Sequence, residues 1–458
     1  MRVIICGGGQ VGYSIASYLS QENNDVTVID INPDTVANIN NDLEANGIVG
    51  HASSPEVLYN AGANDADLVI AVTHQDEINM IACQVAHSLF NVPKKIARIR
   101  NQSYKDPAWS NLFSRAHLPL DVIISPELEV AKAIAQRLAV PGTTEAFPLA
   151  GGKVYLVGLI CDENCPVVNT PLRQMPSLFP ELPVEIVCIL RNNRAVIPDQ
   201  DNQIEIGDEV FFFVDVDHLK RAMSIFGHEE AEARRLIIMG GGNIGSSLAD
   251  ILSEHYPGAR LKMIERNTEK AQALSNNFED IIVLEGDGLD RDILQEANIS
   301  RTETFIAVTN DDEANILGSL LAKQYGCERV VTLVNKNNYV PLIQNLGIDT
   351  TVSPKAITVS SIMQYIRRGR IKGIHTLRDG FAEVIEAQIV EGSVLANKQI
   401  EDIKLPPQVV IGVIVRDDKV LLPNEDLTIR ANDRVVLLAA QGQGQKVESL
   451  FSVQVELI

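Results

Sequence analysis

The chain has 458 residues, 45% of them hydrophobic, which is enough for roughly three or four domains with their own cores. Its formal net charge of −21 argues against binding to nucleic acid or to an anionic membrane surface, because both require a positively charged protein face. No apolar run approaches the roughly 18 residues that cross a bilayer, and the first residues form neither a basic leader nor a cleavage site. We therefore expect a cytosolic protein with no nucleic-acid partner.

The first predicted element is an apolar strand that runs into a glycine turn and an amphipathic helix, RVIICGGGQVGYSIASYLSQ from residue 2. The turn has the pattern GxGxxG, in which Gly7 permits the sharp bend and Gly12 lets the helix pack closely. Gly9 allows the backbone to approach a pyrophosphate, which the amide groups at the helix N-terminus face. We expect a phosphate-bearing ligand to contact Gly7, Gly8, Gly9, Gln10, Val11 and Gly12.

The second predicted strand, VTVID, ends at Asp30, 23 residues after Gly7. A carboxylate at this position accepts hydrogen bonds from a ribose diol and repels a 2′-phosphate. The sequence therefore favours NAD or an adenine nucleotide over NADP.

Two later strands end in polar residues. Thr73 and His74 follow DLVIAV, at the carboxyl edge where ligands of open α/β sheets bind. Arg98 and Arg100 belong to a predicted strand, IARIR, and can neutralise phosphate charge. Alternatively, Thr73 and His74 are ordinary strand ends without a ligand, and the two arginines only keep the protein surface soluble.

The residues after this region change in character. Residues 125–140 have helical periodicity and are expected to transmit ligand-dependent movement, with simple core packing as the alternative. Residues 151–228 are rich in short β runs, and RNNRA between two of them predicts a hairpin turn. Cys161 and Cys165 lack a second cysteine pair or nearby histidine to complete a metal site, so we expect no metal.

The second half of the chain repeats the first. IIMGGGNIGSS restores the glycine turn 233 residues later, and IAVTNDDEANI (306–316) matches IAVTHQDEINM (70–80). Four matches in the same order, with small drifts in spacing, indicate a tandem duplication. The equivalent candidate ligand residues are Gly240, Gly241, Gly242, Asn243, Ile244, Gly245, Thr309 and Asn310.

The two candidate sites differ in charge. Glu265 ends the second strand of the repeat, and Arg266 beside it weakens the exclusion of a 2′-phosphate. Asp287 stands where the first copy has His51, and the strand VVTLVN (330–335) has no arginine. Because the second site carries less positive charge, we expect it to bind a triphosphate less well and the two sites to be unequally occupied.

The β-rich pattern recurs as well, since EIVCILRNNRAVIP resembles VVIGVIVRDDKVLLP. The expected fold class is α/β, with two tandem Rossmann-like parallel-sheet lobes, each followed by a small α+β, β-rich C-lobe. HEEAEARR (228–235) is expected to link the halves, although it would also suit a helix end. The expected domains are residues 1–140, 141–230, 231–370 and 371–458.

Several motifs, together with the end-to-end duplication, resemble the TrkA family of bacterial potassium uptake systems, whose members have two tandem RCK domains. These motifs are GGGQVG, ENNDVTVID, CQVAHSLFNVPKKIARIR, GGGNIG, IERN, FIAVTNDDEANI and IKLPP. The resemblance implies a regulatory subunit that forms a homo-oligomeric ring, usually a homotetramer. It also implies peripheral attachment to the cytoplasmic face of the inner membrane, through a potassium-translocating subunit of the TrkH or TrkG type.

The resemblance further implies that the Rossmann-like lobes bind NAD+ or NADH and ATP or ADP. Carried over by position, the first site would use Gly7 through Gly12, Asp30, His51, Thr73 and Arg98. The second would use Gly240 through Gly245, Glu265, Asp287 and Thr309. His51 departs from the pattern, since many such lobes have an aspartate there.

The competing interpretation is an NAD-dependent oxidoreductase. Hydride transfer needs a substrate pocket and an acid or base beside the nicotinamide. Each β-rich module has fewer than roughly 100 residues, which leaves little room for a substrate domain. No histidine recurs between the copies, because His51 faces Asp287 and His74 faces Asn310. We therefore expect a regulator whose ligand shifts the populations of two conformations, and not an enzyme.

Overall fold

The computed structural model describes the chain except for residues 23, 181, 193, 231, 257, 337–338, 344–345, 367–370, 378–380, 425, 441 and 452–458. The described residues divide into two compact units, one of residues 1–129 and 355–369, the other of residues 130–354 and 370–458. They contain two six-stranded parallel sheets and two five-stranded antiparallel sheets. This architecture confirms the predicted fold class.

The first unit is built around a parallel sheet. This sheet and the helices packed on it are here called the first lobe. Its strands are β1 (Arg2–Cys6), β2 (Asp25–Asp30), β3 (Asn46–Val49), β4 (Leu68–Ala71), β5 (Lys94–Arg98) and β6 (Val122–Ile124). The helices that follow them are α1 (Gln10–Gln21), α2 (Pro33–Asp42), α3 (Pro55–Asn60) and α4 (Asp76–Phe90). After β6 the chain enters α5 (Pro126–Ala139), which belongs to the second unit from residue 130 onwards. The strand order β3-β2-β1-β4-β5-β6 reverses between β1 and β4, where ligands of open α/β sheets bind.

The second unit contains the first C-lobe, an antiparallel sheet of order β10-β9-β11-β8-β7. Its strands are β7 (Glu145–Leu149), β8 (Val154–Ile160), β9 (Val184–Arg191), β10 (Arg194–Val196) and β11 (Glu209–Asp215). Its helices are α6 (Met175–Leu178) and α7 (Leu219–Ile225). The hairpin predicted at RNNRA joins β9 to β10.

The second unit also contains the second lobe, whose sheet order β14-β13-β12-β15-β16-β17 repeats that of the first lobe. Its strands are β12 (Arg235–Met239), β13 (Arg260–Glu265), β14 (Ile282–Glu285), β15 (Thr304–Ala307), β16 (Arg329–Leu333) and β17 (Thr350–Val352). The accompanying helices are α8 (Asn243–His255), α9 (Thr268–Asn277), α10 (Arg291–Glu296), α11 (Asp312–Gln324) and α12 (Val340–Ile343). The next helix in the chain, α13 (Pro354–Ile366), belongs to the first unit from residue 355 onwards.

The second C-lobe completes this unit with the sheet order β18-β19-β22-β20-β21. Its elements are β18 (Ile371–Leu377), β19 (Ala382–Gln388), β20 (Val409–Arg416), β21 (Lys419–Leu421), β22 (Arg434–Ala440) and α14 (Gly444–Leu450). Asp417 and Asp418 have φ values of 48° and 61° and form the two-residue turn between β20 and β21. Aspartate tolerates this left-handed backbone, which matches the twist of a tight hairpin.

Helices α5 and α13 are exchanged between the lobes. Ile362, Met363 and Ile366 of α13 lie in the core of the first lobe, although α13 follows the last strand of the second lobe. Each buried apolar side chain of this size contributes about 1.5–3 kcal/mol, so the contact is substantial. In the second unit, the hydroxyl of Tyr256, the residue after α8, donates a hydrogen bond of 2.7 Å to the Ala135 carbonyl of α5.

The two C-lobes share one apolar core inside the second unit. At its edge the Phe147 and His375 rings stack with their centroids 4.2 Å apart. The two residues occupy equivalent positions in the two C-lobes. Phe147 of β7 pairs with Leu156 of β8, and His375 of β18 pairs with Val384 of β19. Burial lowers the pKa of His375 from 6.5 to about 4, so the ring is neutral at pH 7.

We expect His375→Phe to make the protein more resistant to acid. The pKa of His375 is lower in the folded protein than in the unfolded chain. Between pH 6.5 and 4 the unfolded chain therefore binds the proton more readily, and the free energy of unfolding decreases as the pH is lowered. Protonation of His375 should lower the free energy of unfolding at pH 4.5 by about 2.5 kcal/mol relative to pH 7.5, and the variant should not show this decrease. Urea unfolding at both pH values measures the difference. Equal pH dependence in the two proteins would exclude His375 as the titrating group.

Among the described helices, none is both long enough and apolar enough to cross a membrane.

Candidate functional site

The glycine turns have the geometry that the first and third glycines are expected to provide. Gly7 and Gly240 have φ values of +105° and +109°, which side chains rarely adopt. A Cβ atom at Gly12 would lie 1.8 Å from the Gly7 carbonyl oxygen, and one at Gly245 would lie 1.9 Å from that of Gly240. Helices α1 and α8 therefore pack against their turns at a distance that only glycine allows.

The second glycine of each turn faces open space instead. The nearest atom to a Cβ at Gly9 would be His74 Nε2 at 4.0 Å, and nothing lies within 4 Å of a Cβ at Gly242. Gly9 and Gly242 are the N-cap residues of α1 and α8, and neither helix has a side-chain cap. The N–H groups that begin each helix are thus directed towards an open crevice, an arrangement that favours an anion. We call these the first and second crevices.

Acidic residues lie beside both turns, at the ends of β2 and β13. In the first lobe, Asp30 accepts hydrogen bonds from the Gly8 N–H at 2.6 Å and the Asn32 N–H at 2.9 Å. Both carboxylate oxygens retain lone pairs that can accept from ribose hydroxyls.

Glu265 repeats this pattern with the Gly241 and Asn267 N–H groups, both at 2.8 Å. Its neighbour Arg266 is exposed. The longer glutamate thus reaches the same backbone groups as aspartate, and the two carboxylates have equivalent positions.

Thr73 and Thr309 follow β4 and β15 on the same edge as the glycine turns. A Cβ at Gly7 would lie 3.0 Å from the Thr73 N atom, and one at Gly240 would lie equally close to that of Thr309. The next residues, His74 and Asn310, are exposed. Each threonine therefore closes one side of its crevice.

Two asparagines that were not among the candidate ligand residues hold this edge together. Asn79 of α4 is fully buried; its Oδ1 accepts from the Thr73 N–H and hydroxyl at 2.8 and 2.7 Å. Its Nδ2 donates to the carbonyls of Thr73 and Arg98 at 3.2 and 2.9 Å. Asn315 makes the same four bonds to Thr309 and Leu333. Their unchanged recurrence in both copies was the only sequence signal of this role.

A buried carboxylate holds the next loop in each lobe. Asp76 accepts from the N–H groups of Arg100 and Asn101, with bonds of 2.9–3.1 Å. Asp312 does the same for Asn335 and Lys336 at 2.9–3.0 Å. Because these bonds tie each carboxylate to successive backbone N–H groups, both carboxylates position the loop.

The predicted arginine pair lies at the end of β5, with one correction. The strand ends at Arg98, so Arg100 belongs to the loop held by Asp76 and not to the strand IARIR. Both guanidinium groups approach a single carboxylate, Glu127 of α5, at 3.7 and 3.3 Å. Burial, followed by the charge of Arg100, lowers the pKa of Arg98. Two guanidinium cations therefore lie among two carboxylates, Glu127 and Asp76, at the end of β5.

The second crevice lacks this pair, because Leu333 and Asn335 occupy the equivalent positions. In its place, Lys336 and the Tyr339 hydroxyl contact Glu313 at 2.8 and 2.5 Å. These two partners lower the pKa of Glu313 to about 2. The positive charge of Lys336 is therefore matched by Glu313, and the two crevices differ in charge as the sequence indicates.

His51 and Asp287 lie in the loops that follow β3 and β14, and both are exposed. The carbonyls of His51 and Asp287 accept from the Ser54 and Asp290 N–H groups at 3.0 and 2.9 Å, so the two loops have the same backbone turn. The Asp287 Oδ1 also accepts from the Leu289 N–H at 2.9 Å. The described residues contain no group of three or more His, Cys, Asp or Glu side chains that could hold a metal ion.

Comparison with protein families gives two alternating matches. The TrkA-N domain matches residues 3–126 and 236–354, and the TrkA-C domain matches residues 156–227 and 384–452. The Trk system potassium uptake protein TrkA of Azorhizobium caulinodans is 47% identical over 456 residues and is covered, like this chain, to 100%. The protein of the same name from Halomonas elongata is 39% identical, with 99% of each chain covered.

Solved structures have the same fold at low identity. The alignment with the GsuK channel covers 98% of this chain and 78% of the channel chain, with a TM-score of 0.62 and 17% identity. The GsuK channel bound to NAD covers the same shares, with a TM-score of 0.59 and 18% identity. The crystal structure of the GsuK RCK domain has a TM-score of 0.59, 17% identity and coverage of 98% and 94%. These likenesses show the fold of the chain.

Proposed function

The chain belongs to the TrkA family of potassium uptake proteins, and from that premise we propose that it is a regulatory subunit that binds a nucleotide in each Rossmann-like lobe. The observation that carries the proposal is the duplicated crevice. Each copy combines an uncapped helix N-terminus, a second glycine open to solvent and a carboxylate at the ribose position. Sites of this form bind dinucleotides and related phosphate compounds reversibly.

The proposed ligands are NAD+ or NADH in either crevice and ATP or ADP in the first. The carboxylates of Asp30 and Glu265 suit an unmodified ribose, and the GsuK channel bound to NAD provides a precedent in the same fold. Arg98 and Arg100 add positive charge to the first crevice alone. A triphosphate is therefore expected to prefer the first crevice. The proposed contact residues in each lobe are those named from the sequence, with Asn79 and Asn315 added as positioning residues.

The proposed partner is a potassium-translocating membrane subunit of the TrkH or TrkG type. The relatives are named Trk system potassium uptake proteins, a name that describes a transport component and not an oxidoreductase. We propose that the chain forms a homotetrameric ring on the cytoplasmic face of the membrane and docks there on this subunit. The domains are proposed to have the boundaries expected from the sequence.

The exchanged helices provide a proposed route for coupling. Helix α13 begins directly after β17, the edge strand of the second lobe, and its apolar residues pack in the first lobe. A ligand that displaces the start of α13 therefore acts on the other lobe's core. Coupling between sites in such systems is typically about 1–3 kcal/mol.

The proposed function is tested by potassium flux. Vesicles containing the membrane subunit should show flux that changes when the full chain is added together with NADH or ATP. The change should be absent with a chain that carries Gly9→Val and Gly242→Val. Ligand-dependent flux that survives in this double variant would overturn the proposal.

Asp30→Asn is expected to weaken NAD binding in the first crevice by about tenfold, because a charged hydrogen bond to the ribose becomes a neutral one. The same change removes the repulsion of a 2′-phosphate, so the preference for NAD over NADP should narrow. Calorimetric titration with both dinucleotides measures this, and Glu265→Gln is the matched variant in the second crevice. An unchanged NAD affinity in Asp30→Asn would exclude the ribose contact.

Arg98→Leu is expected to weaken ATP binding in the first crevice by about 10- to 30-fold, equivalent to about 1.4–2 kcal/mol. NAD, which carries less phosphate charge, should lose less than about threefold. Leucine is the residue that the second lobe has at this position, so the fold should tolerate it. Titrations in a Gly242→Val background isolate the first crevice. Equal losses for the two ligands would mean that Arg98 acts through the fold.

A further inference from the structure

A pair of cysteines in the first C-lobe stands apart from the nucleotide crevices. Cys161 directly follows β8, and Cys165 lies four residues later on the other side of a turn closed by the Cys165 N–H and the Asp162 carbonyl. Both belong to one core cluster, with exposed fractions of 0% and 5%. The two cysteines are thus neighbours in a confined, apolar turn.

The second C-lobe contains the same turn without the thiols. Cys161 exchanges backbone hydrogen bonds of 2.8 Å with Asp208 and Gly207, and Ile389 does so with Asp433 and Asn432. The bond that closes the first turn, from Cys165 to Asp162, is repeated from Ser393 to Val390 at 3.1 Å. Isoleucine and serine therefore support this backbone as well as two cysteines do. The fold of the turn does not explain why the first copy has a thiol pair.

The surroundings of Cys165 favour its thiolate. The hydrogen bond from Cys161, then the Val167 N–H and the charge of His228, lower the pKa of Cys165, although burial opposes this. His228 in turn contacts the Glu230 carboxylate at 3.0 Å. Cys161 shows the opposite effect, since its bond to Cys165 and its burial, with Asp208 and Asp162 nearby, raise its pKa.

The other four cysteines lack this environment. Burial raises the pKa of Cys6, Cys83, Cys188 and Cys327. A buried thiol with a raised pKa behaves as an inert apolar side chain, whereas a thiolate with a neighbouring thiol is the arrangement of a redox-active pair. All six cysteines lie in the described part of the chain and are reduced.

We propose that Cys161 and Cys165 form a reversible dithiol–disulfide site that reacts with hydroperoxides. Cys165, the more exposed of the two, attacks one peroxide oxygen; an S–O bond forms, the O–O bond breaks, and the second oxygen leaves as water after taking a proton. Cys161 then attacks the resulting sulfenic acid, so that an S–S bond forms and the S–O bond breaks. The released hydroxide takes the Cys161 proton. Two thiols lose two electrons, and hydrogen peroxide becomes two water molecules.

The position of the pair connects it to the junction between the halves. A Cβ atom at Gly227 would lie 2.9 Å from the Asn164 carbonyl oxygen, so the chain just after α7 packs on this turn. The segment that joins the first C-lobe to β12 begins here with His228. A disulfide holds its two Cα atoms within about 4.4–6.8 Å, which constrains the turn that this segment contacts. Oxidation of this pair requires no bound nucleotide.

The test is peroxide treatment of the full chain, followed by alkylation of free thiols and peptide mass spectrometry. The peptide that contains both Cys161 and Cys165 should lose two hydrogens, and the other four cysteines should remain alkylated. Dithiothreitol should restore both thiols. Loss of two hydrogens elsewhere, or over-oxidation of Cys165 to sulfinic acid without a disulfide, would overturn the proposal.

The pH dependence identifies the attacking sulfur. Between pH 7 and 9 the initial rate for an ordinary thiol would rise about 25-fold, and the rise for Cys165 should be smaller, because its lowered pKa leaves more of it ionised at pH 7. The double variant Cys161→Ile, Cys165→Ser, which carries the residues of the second C-lobe, should fold normally and consume no peroxide. Cys188→Ser should react like the wild type. A 25-fold rise, or peroxide consumption that persists in the double variant, would contradict the assignment.

Discussion

Gly9→Val is expected to abolish tight NAD binding in the first lobe while leaving the lobe folded. Gly9 has φ −62° and ψ −174°, a backbone conformation that valine adopts, and its side chain would enter open space. The same space is where the turn is proposed to hold a pyrophosphate, so the valine methyl groups would exclude it. Affinity should fall about 100-fold or more, equivalent to about 2.8 kcal/mol. Calorimetry in a Gly242→Val background measures this loss.

Gly12→Val is the contrasting control. Its Cβ atom would lie 1.8 Å from the Gly7 carbonyl oxygen, so α1 would have to move away from β1. This variant should lose NAD binding together with thermal stability, whereas Gly9→Val should keep its melting temperature within a few degrees. If Gly9→Val bound NAD with unchanged affinity, the first crevice would not be the ligand site.

Asn79→Asp is expected to destabilise the first lobe by about 3–5 kcal/mol and to weaken its ligand binding as well. The substitution keeps the shape of the side chain but replaces two donated hydrogen bonds by repulsion between a carboxylate and the carbonyls of Thr73 and Arg98. Because Asn79 is fully buried, water cannot compensate. Urea unfolding and NAD titration under conditions where the variant remains folded measure the two effects.

Asn315→Asp is the matched variant in the second lobe, where the same four hydrogen bonds occur. It should affect the second crevice and leave ligand binding in the first within about threefold of the wild type. A fully stable Asn79→Asp protein would show that the asparagine does not hold β4 and β5 together. Lost stability with unchanged NAD affinity would assign it a purely structural role.

The glycine turns and acidic strand ends were predictable because their pattern is local. The pattern consists of Gly7, Gly9, Gly12 and Asp30, all within the first 30 residues. The residue type needed at each of these positions is set by the backbone geometry close to it. The duplication then provided an internal comparison, and the charge difference between Arg98 and Leu333 followed directly from it. The fold class and the family resemblance inferred in this way are confirmed.

The roles of Asn79 and Glu127 could not be inferred in the same manner. Asn79 acts by joining the ends of two neighbouring strands, and Glu127 acts by facing two arginines from the start of a helix. Neither contact has a fixed spacing along the chain. Recurrence identified Asn79 as a repeated residue but gave no reason for the repetition.

The sequence by itself determined that two parallel-sheet lobes alternate with two β-rich lobes and that each parallel sheet carries a glycine turn and a carboxylate. Local backbone geometry and hydrophobic periodicity are sufficient for these properties. Only the tertiary structure decided that α13 packs in the first lobe, that the C-lobes share a core and that Cys161 and Cys165 meet in one turn near His228. An apolar helix face or a thiol shows that a partner is needed, but the partner is selected by packing between segments far apart in the chain.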